Sequence, residues 1–272
     1  MKLKHAIGAS ILGLFVSATA SAEESRERRE RTEVIEVEVE FEKRSWWDNI
    51  RPVVSVRGGF DYAKPGGSTV DIPFTLPGTG ESPDAYVPIE KWHTAGVWGA
   101  LLGVEIPVWK PGNRWQTGVS YYGTGDFHVE GIVDRQSNIS LGETDYKYKV
   151  RNTRVLWENR WLTAMNNWFD LYFLVGIGWS QNKASDYKET LVYEFAIPNE
   201  PFEDKTKNSF TYSLGFGMEA ALTDHIRAGI GYQYSDLGRV ELGHSPSQTS
   251  TENFSTSQTP AHEVLGSLTY IF

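Results

Sequence analysis

The segment Val264-Leu265-Gly266-Ser267-Leu268-Thr269-Tyr270-Ile271-Phe272 (VLGSLTYIF) decides the fold. Successive side chains of a strand point to opposite faces. Val264, Leu268, Tyr270 and Phe272 therefore form one apolar row, and Leu265, Ser267, Thr269 and Ile271 a second, mixed one. An apolar outer row ending on an aromatic is what a membrane-spanning barrel needs where it closes. A soluble sandwich shows the same alternation, so the other segments must separate the two.

The first residues point to the compartment. Lys2 and Lys4 precede the apolar run AIGASILGLFV, too short to span a bilayer comfortably, and Ala20-Ser21-Ala22 offers a small-residue cleavage site before Glu23. Residues 1–22 thus read as a secretory signal peptide. The 272-residue chain would keep about 250 residues, enough for one or two ordinary domains. It has no cysteine, so stability must come from packing and backbone pairing. A mean hydropathy of -0.40, with no later apolar run of about 18 residues or more, excludes a helical membrane protein. Barrel strands escape that criterion, because they alternate lipid-facing and lumen-facing residues. The net charge of -9 argues against nucleic acid as a partner. Ten Trp in the chain suit a membrane–water interface, where one edge of the ring is dry and the other wet.

Residues 23–45 begin as a mixed-charge run and continue as alternating Val37, Val39, Phe41 and Glu38, Glu40, Glu42. This pattern predicts a solvated periplasmic tail, with docking to the cell wall or a partner as the other reading. From Trp46 onward the chain is a series of period-two segments. SFTYSLGFGMEA sets Phe210, Tyr212, Leu214, Phe216 and Met218 against Thr211, Ser213, Gly215, Gly217 and Glu219. IRAGIGYQY, DLYFLVGIGWS, WGALLGVEI and WQTGVSYY repeat that division, and VVSVRGGFDY follows it less regularly. In YKYKVRNTRVLWENRW, Tyr146, Tyr148 and Val150 read as outward, then Val155, Trp157 and Trp161; a bulge near Asn152 would reconcile the two phases. With the terminal segment, eight strands result, an allowed even count for a small barrel.

The connections alternate in length. KPGN, AMNN and LTDH are short turns, whereas long polar stretches lie around 63–93, 124–145, 181–207 and 236–260. Trp46, Trp47, Trp109, Trp115, Trp161, Trp168 and Phe272 fall near the short turns, and Tyr62, Tyr121, Tyr146, Trp179 and Tyr234 near the long loops, as two aromatic girdles. The expected fold is therefore an all-β, eight-stranded antiparallel transmembrane barrel over residues 46–272, with short periplasmic turns and long extracellular loops. On these patterns, and above all on the terminal LTYIF, the chain resembles the small outer-membrane barrels of Gram-negative bacteria, the class of the OmpA transmembrane domain and opacity-type surface proteins. The resemblance implies an outer-membrane location and recognition of Leu268, Tyr270 and Phe272 by the barrel-assembly machinery. The peptidoglycan-binding domain of full-length OmpA-type proteins is not expected here.

The inner faces carry Arg57, Glu105, Arg154, Glu158, Arg160, Asp170, Glu219, Arg227 and Glu263. Ionisable groups in a narrow barrel must pair, so a ladder of ion pairs is expected, including Glu219, Arg227 and Glu263 on neighbouring strands. That ladder either fills and stiffens the core or acts as a gate for small ions. Inward glycines such as Gly217 and Gly231 would make room for the large groups opposite.

Signals for chemistry are sparse. His244 lies near Ser245 and Ser247 in GHSPS, and His262 precedes Glu263, but a nucleophile needs a held base and an orienting acid. His93, His128 and His225 have no ligand spacing. No metal or cofactor is expected. Acidic loop residues such as Asp71, Glu81 and Glu203 could share divalent cations with lipopolysaccharide phosphates. Three readings result: a non-enzymatic surface protein whose loops contact host, phage or other cells while the barrel supports the envelope; a narrow channel; and a lipid A-modifying enzyme. The partners implied are outer-membrane lipids and lipopolysaccharide, the assembly machinery and a cell-surface ligand, with no nucleic acid.

Overall fold

The computed structural model describes residues 49–76, 80–108, 112–135, 144–166, 168–191 and 199–272. The expected signal peptide, the 23–45 tail, Trp46, Trp47 and Trp109 lie outside the described residues. The strands are β1 (Arg51–Ala63), β2 (Val70–Leu76), β3 (Gly80–Pro88), β4 (His93–Pro107), β5 (Asn113–Thr124), β6 (Phe127–Arg135), β7 (Thr144–Ala164), β8 (Phe169–Leu191), β9 (Lys205–Ala221), β10 (Ile226–Glu241) and β11 (Ser255–Ile271). All pairings are antiparallel. Strands β1, β4, β5, β7, β8, β9, β10 and β11 pair in that cyclic order, and β11 returns to β1 through Val53 opposite Ile271. Eight strands thus close on themselves and leave no edge, the condition for burying strand backbone in lipid.

Within the ring the alternation follows the sequence pattern. On β8, Phe169, Leu171, Phe173, Val175, Ile177 and Trp179 are exposed outward while Leu174, Gly176, Gly178 and Ser180 are buried inward. Such an eleven-residue run rises roughly 25 Å over its ten steps at about 3.3 Å per residue and a tilt near 40°, the height of a hydrocarbon core. The last strand shows the same division: Val264, Leu268, Tyr270 and Phe272 are exposed, and Leu265, Thr269 and Ile271 are buried. The short turns after β4, β7 and β9 lie at the end where Phe272 N bonds Pro52 O at 3.1 Å.

At the opposite end the structure corrects three expectations. The stretches 63–93 and 124–145 are not open loops, since they contain β2, β3 and β6, and the other two are shortened by the long β8, β9, β10 and β11. Strand β6 takes over from β5 along β7, with Phe127 opposite Val150, and the hairpin β2–β3 extends the sheet from β6. The edge of β2 is met by the connection after β10, through a bridge from Phe74 to Gln248. The proposed phase change in β7 is also absent, because its even-numbered residues are buried from Thr144 to Leu162. The interruption lies in its neighbours: between β5 and β6 at Gly125-Asp126, opposite Asn152, and in β8 at Asp186, which has φ +57°. Thr124 Oγ1 caps the gap by accepting from Asn152 N at 3.0 Å.

Third, Tyr146 is not a girdle residue. Tyr146, Tyr148 and Val150 face inward and are buried with Ile72, Phe74, Tyr86, Phe127, Phe202 and Phe254 in one apolar cluster. The rings pack at 5.0 Å for Tyr86–Phe254 and for Tyr187–Phe202, and at 5.4 Å for Tyr146–Phe254. Gly131 lies under the Tyr146 ring, where a Cβ would overlap it. The physical reason is a change of solvent: the wall outside the ring faces lipid below and water above, so apolar side chains point out below and in above. Every long connection contributes to this cap.

Replacing Val175 with Arg, near mid-height on the outer wall, should cost about 2–4 kcal/mol in urea titrations of vesicle-inserted protein. Replacing Lys183 with Ile on the same strand, above the apolar row, should move the midpoint little. Equal costs would contradict the change of solvent between these positions.

Candidate functional site

Alternation places the charged residues of the ring in its interior, where four arginines each meet a carboxylate. Arg57 and Glu158 approach to 2.7 Å, Arg160 and Glu219 to 2.6 Å, and Arg227 and Glu105 to 2.6 Å. Arg154 Nη2 donates to both oxygens of Glu263 at 2.6 Å. Asp170 pairs with Arg114, and Arg51 with Glu105, at the short-turn end. Glu219, Arg227 and Glu263 each belong to this network, and each pairs with a different partner across the interior. Arg51 and Arg114 are additional members that the sequence reading did not single out; inward parity and proximity to the turns mark Arg114.

Neutral groups complete the network. Tyr122 OH donates to Glu158 Oε2 at 2.8 Å, Ser120 Oγ to the same oxygen at 3.0 Å, and Gln116 Nε2 to Glu105 at 2.8 Å. The Arg154 guanidinium lies 4.6 Å from the Tyr122 ring centroid and that of Arg160 3.9 Å from Tyr172, close enough for cation–π attraction. The Tyr172 hydroxyl occupies the space over Gly217 and Gly231, which a Cβ at either position would take. Apolar groups cross the lumen too, with Val53, Leu101 and Ile271 toward the short-turn end and Val97, Tyr122, Leu156 and Leu265 higher up. Asp61, directly opposite Glu263 in the β1–β11 register, is fully buried and neither carboxylate oxygen has a hydrogen-bond partner.

The candidate catalytic groups are arranged otherwise. Ser245 Oγ donates to Glu200 O at 2.7 Å, and the exposed His244 contributes its backbone carbonyl to Glu203 N at 3.2 Å. His262 and Glu263 sit on opposite faces of β11: His262 contacts Tyr232 and Trp92 on the outer wall, Glu263 the lumen arginine. Among the described residues no group of three or more His, Asp or Glu side chains is placed to hold a metal ion.

Above the membrane the cap is tied by polar latches. Lys205 and Lys207 both pair with Glu241, at 2.5 and 2.6 Å. Burial alone would raise the Glu241 carboxyl, but the two lysine hydrogen bonds outweigh it and hold the group below its ordinary value. Asn199 Nδ2 donates to Asp84 at 2.7 Å and to Tyr86 OH at 3.2 Å, joining the segment before β9 to β3.

Residues 52–272 match the model of the outer membrane protein beta-barrel domain. No curated protein matches the chain. Among solved structures, the chain is similar to the outer membrane protease OmpT from Escherichia coli, at 12% identity and a TM-score of 0.43, over 83% of this chain and 97% of that one. It is also similar to Neisserial surface protein A, at 11% identity and 0.36, over 80% and 97% respectively. A third is Ail, the attachment invasion locus protein of Yersinia pestis, solved with the heparin analogue sucrose octasulfate, at 12% identity and 0.34, over 81% and 99%.

Arg154→Met should destabilise the vesicle-inserted protein by about 3–5 kcal/mol, because it strands Glu263 as a buried, uncompensated charge. Asp61→Asn should be neutral or stabilising, since it removes a carboxylate without a hydrogen-bond partner. The Glu241 latch makes a pH prediction. A carboxyl held low in the folded state contributes stability that is fully present above its unfolded value and is lost as pH falls through the folded one. Protease resistance of the cap should therefore drop between neutral and acidic pH, and Glu241→Gln should flatten that profile.

Proposed function

The chain belongs to the outer membrane protein beta-barrel domain family, and on that premise we propose that it is a non-enzymatic protein of the bacterial outer membrane whose extracellular cap is an interaction surface. The observation that carries this reading is the shared apolar core of the cap. Phe74 and Tyr86, Phe127, Phe202 and Phe254 come from four different connections and pack into one cluster, so the connections form a preformed platform. A rigid, exposed scaffold of this kind lowers the ordering cost of binding a cell-surface ligand. Structural support of the envelope goes with the same barrel, and the 23–45 tail is proposed as its periplasmic element.

The channel reading draws on the charged lumen but has less support. Arg154, Glu158, Glu263 and Leu156 are almost wholly inaccessible, and the cap core lies beyond them on the extracellular side. An enzymatic role has less support still, given the backbone partner of Ser245 and the divided faces of His262 and Glu263. We assign Leu268, Tyr270 and Phe272, exposed in one outward row at the end of β11, as the signal for the barrel-assembly machinery.

Refolded protein in planar bilayers should give no defined openings. Cells expressing it should attach to sibling cells or to host-cell monolayers, and replacing residues 66–90, the β2–β3 hairpin, with a short turn should remove attachment while the barrel remains inserted. Unchanged attachment would sink the interaction reading. Deleting Phe272 should lower outer-membrane insertion in cells without lowering spontaneous refolding in detergent.

A further inference from the structure

The pairing of β1 with β11, which joins the first ring strand to the last, carries an unusual rung near its top. The ladder runs from Val53 opposite Ile271 to Ala63 opposite Ala261, and two rungs below that upper end Asp61 stands opposite Glu263. Both side chains point inward and are fully buried. Like charges directly opposite one another disfavour a sheet. Tyr62, the next residue, belongs to the upper row of aromatics, so the pair sits at the edge of the hydrocarbon, where the barrel passes into the cap.

The surrounding groups do not balance two negative charges. Arg154 of β7 gives its Nη2 to both oxygens of Glu263 at 2.6 Å, and Gln233 of β10 adds a neutral contact at 3.5 Å. Neither oxygen of Asp61 has a hydrogen-bond partner. On its other side β4 offers only Ala95 opposite it, with His93 opposite Ala63 at the end of that ladder. The other charged and titratable groups nearby are committed elsewhere: Arg57 and the Tyr122 hydroxyl to Glu158, Lys64 to Glu90, and Asp236 to the amide of Gly238. Glu263 and Arg154 are thus the charges that act on Asp61. Two ionised carboxylates facing one guanidinium would leave a full negative charge in a dry interior, and a buried group in that position takes up a proton instead.

We propose that Asp61 and Glu263 hold one proton between them and that this proton latches the upper end of the β1–β11 seam. With it, a neutral acid lies beside a carboxylate paired with Arg154, and the ladder stays closed to Ala63. When the proton is released to water, two like charges face each other just below the last rungs. The bonds above them, Lys64 N to Pro260 O at 2.9 Å and Gly66 N to Gln258 O at 3.2 Å, then open first. These bonds hold the chain to β11 where it leaves the ring for β2, so the latch controls the junction between barrel and cap, whatever the cap binds. The sign follows from linkage: a carboxyl that keeps its proton when folded contributes stability that is full below its unfolded value and is lost as pH rises through the folded one.

The test uses the refolded full chain in lipid vesicles and compares wild type with D61N, with E263Q as a second reference. Hydrogen exchange at the amides of Lys64 and Gly66 is taken as the ratio of wild type to variant at each pH, which cancels the base catalysis of exchange itself. The ratio to D61N should be constant in acid and then rise with pH by as much as tenfold per unit, the limit for one proton. E263Q, which leaves Asp61 alone with Arg154, should show no such rise of its own, and H93Q should behave as wild type. Infrared spectra at neutral pH should show the carbonyl stretch of a neutral carboxylic acid that is absent from D61N. A ratio that stays flat across the pH range, or no acid carbonyl in the wild type, would overturn the latch. Loss of the rise in H93Q would overturn it in favour of the histidine, and a dependence on sodium concentration at fixed ionic strength in place of pH would do so in favour of a bound cation.

Discussion

A backbone amide or carbonyl in hydrocarbon has no water to bond, and each one left unpaired costs several kcal/mol. Everything else in this protein depends on that constraint. It forces the β7–β8 and β1–β11 pairings that close eight strands into a ring, and it makes Phe272 N bond back to Pro52 O at the seam. Once the ring is closed, side-chain parity leaves each residue only two destinations, lipid or lumen. The apolar rows ending at Trp179 and Phe272 and the charged row of Glu105, Glu158 and Glu219 are two sides of one geometric fact.

The same strands pass out of the bilayer without changing parity, and their chemistry inverts. On β7, Trp157 and Trp161 face lipid on the odd side, while Tyr146, Tyr148 and Val150 fill the cap from the even side. Water outside the upper ring restores the ordinary hydrophobic effect, so the apolar residues turn inward and Lys147, Lys149 and Arg151 take the outer face. One continuous strand thus belongs to a membrane protein below and a soluble β-structure above. Where a neighbouring strand has to change phase instead, it does so by local irregularity, at Gly125-Asp126 and at Asp186.

The lumen shows how a narrow barrel tolerates many charges. Every arginine of the lumen meets a carboxylate, with Glu105 shared by Arg51 and Arg227, and tyrosine rings and serine or glutamine side chains add further contacts. Asp61 stands apart, at the boundary between the ionic layer and the apolar cap. Ion pairs and apolar side chains cross the interior from the short-turn end to the cap, which directs attention to the cap's exposed face as the place where the protein meets other molecules.

By itself the sequence determined the eight ring strands, the inward and outward rows of their membrane-spanning parts and the short-turn end, while of the lumen charges it passed over Arg51 and Arg114. It could do so because period-two alternation is local, and each strand records its own two environments along its length. Three things were decided only in tertiary structure. Which arginine meets which carboxylate depends on separations of up to 122 positions, as for Arg227 and Glu105. The cap's strands β2, β3 and β6 depend on an apolar core gathered from four connections. The inward turn of Tyr146 and Tyr148 depends on where the bilayer ends, and no periodicity in the chain marks that level: alternation says which residues share a face, whereas the solvent beyond the wall decides what that face must be.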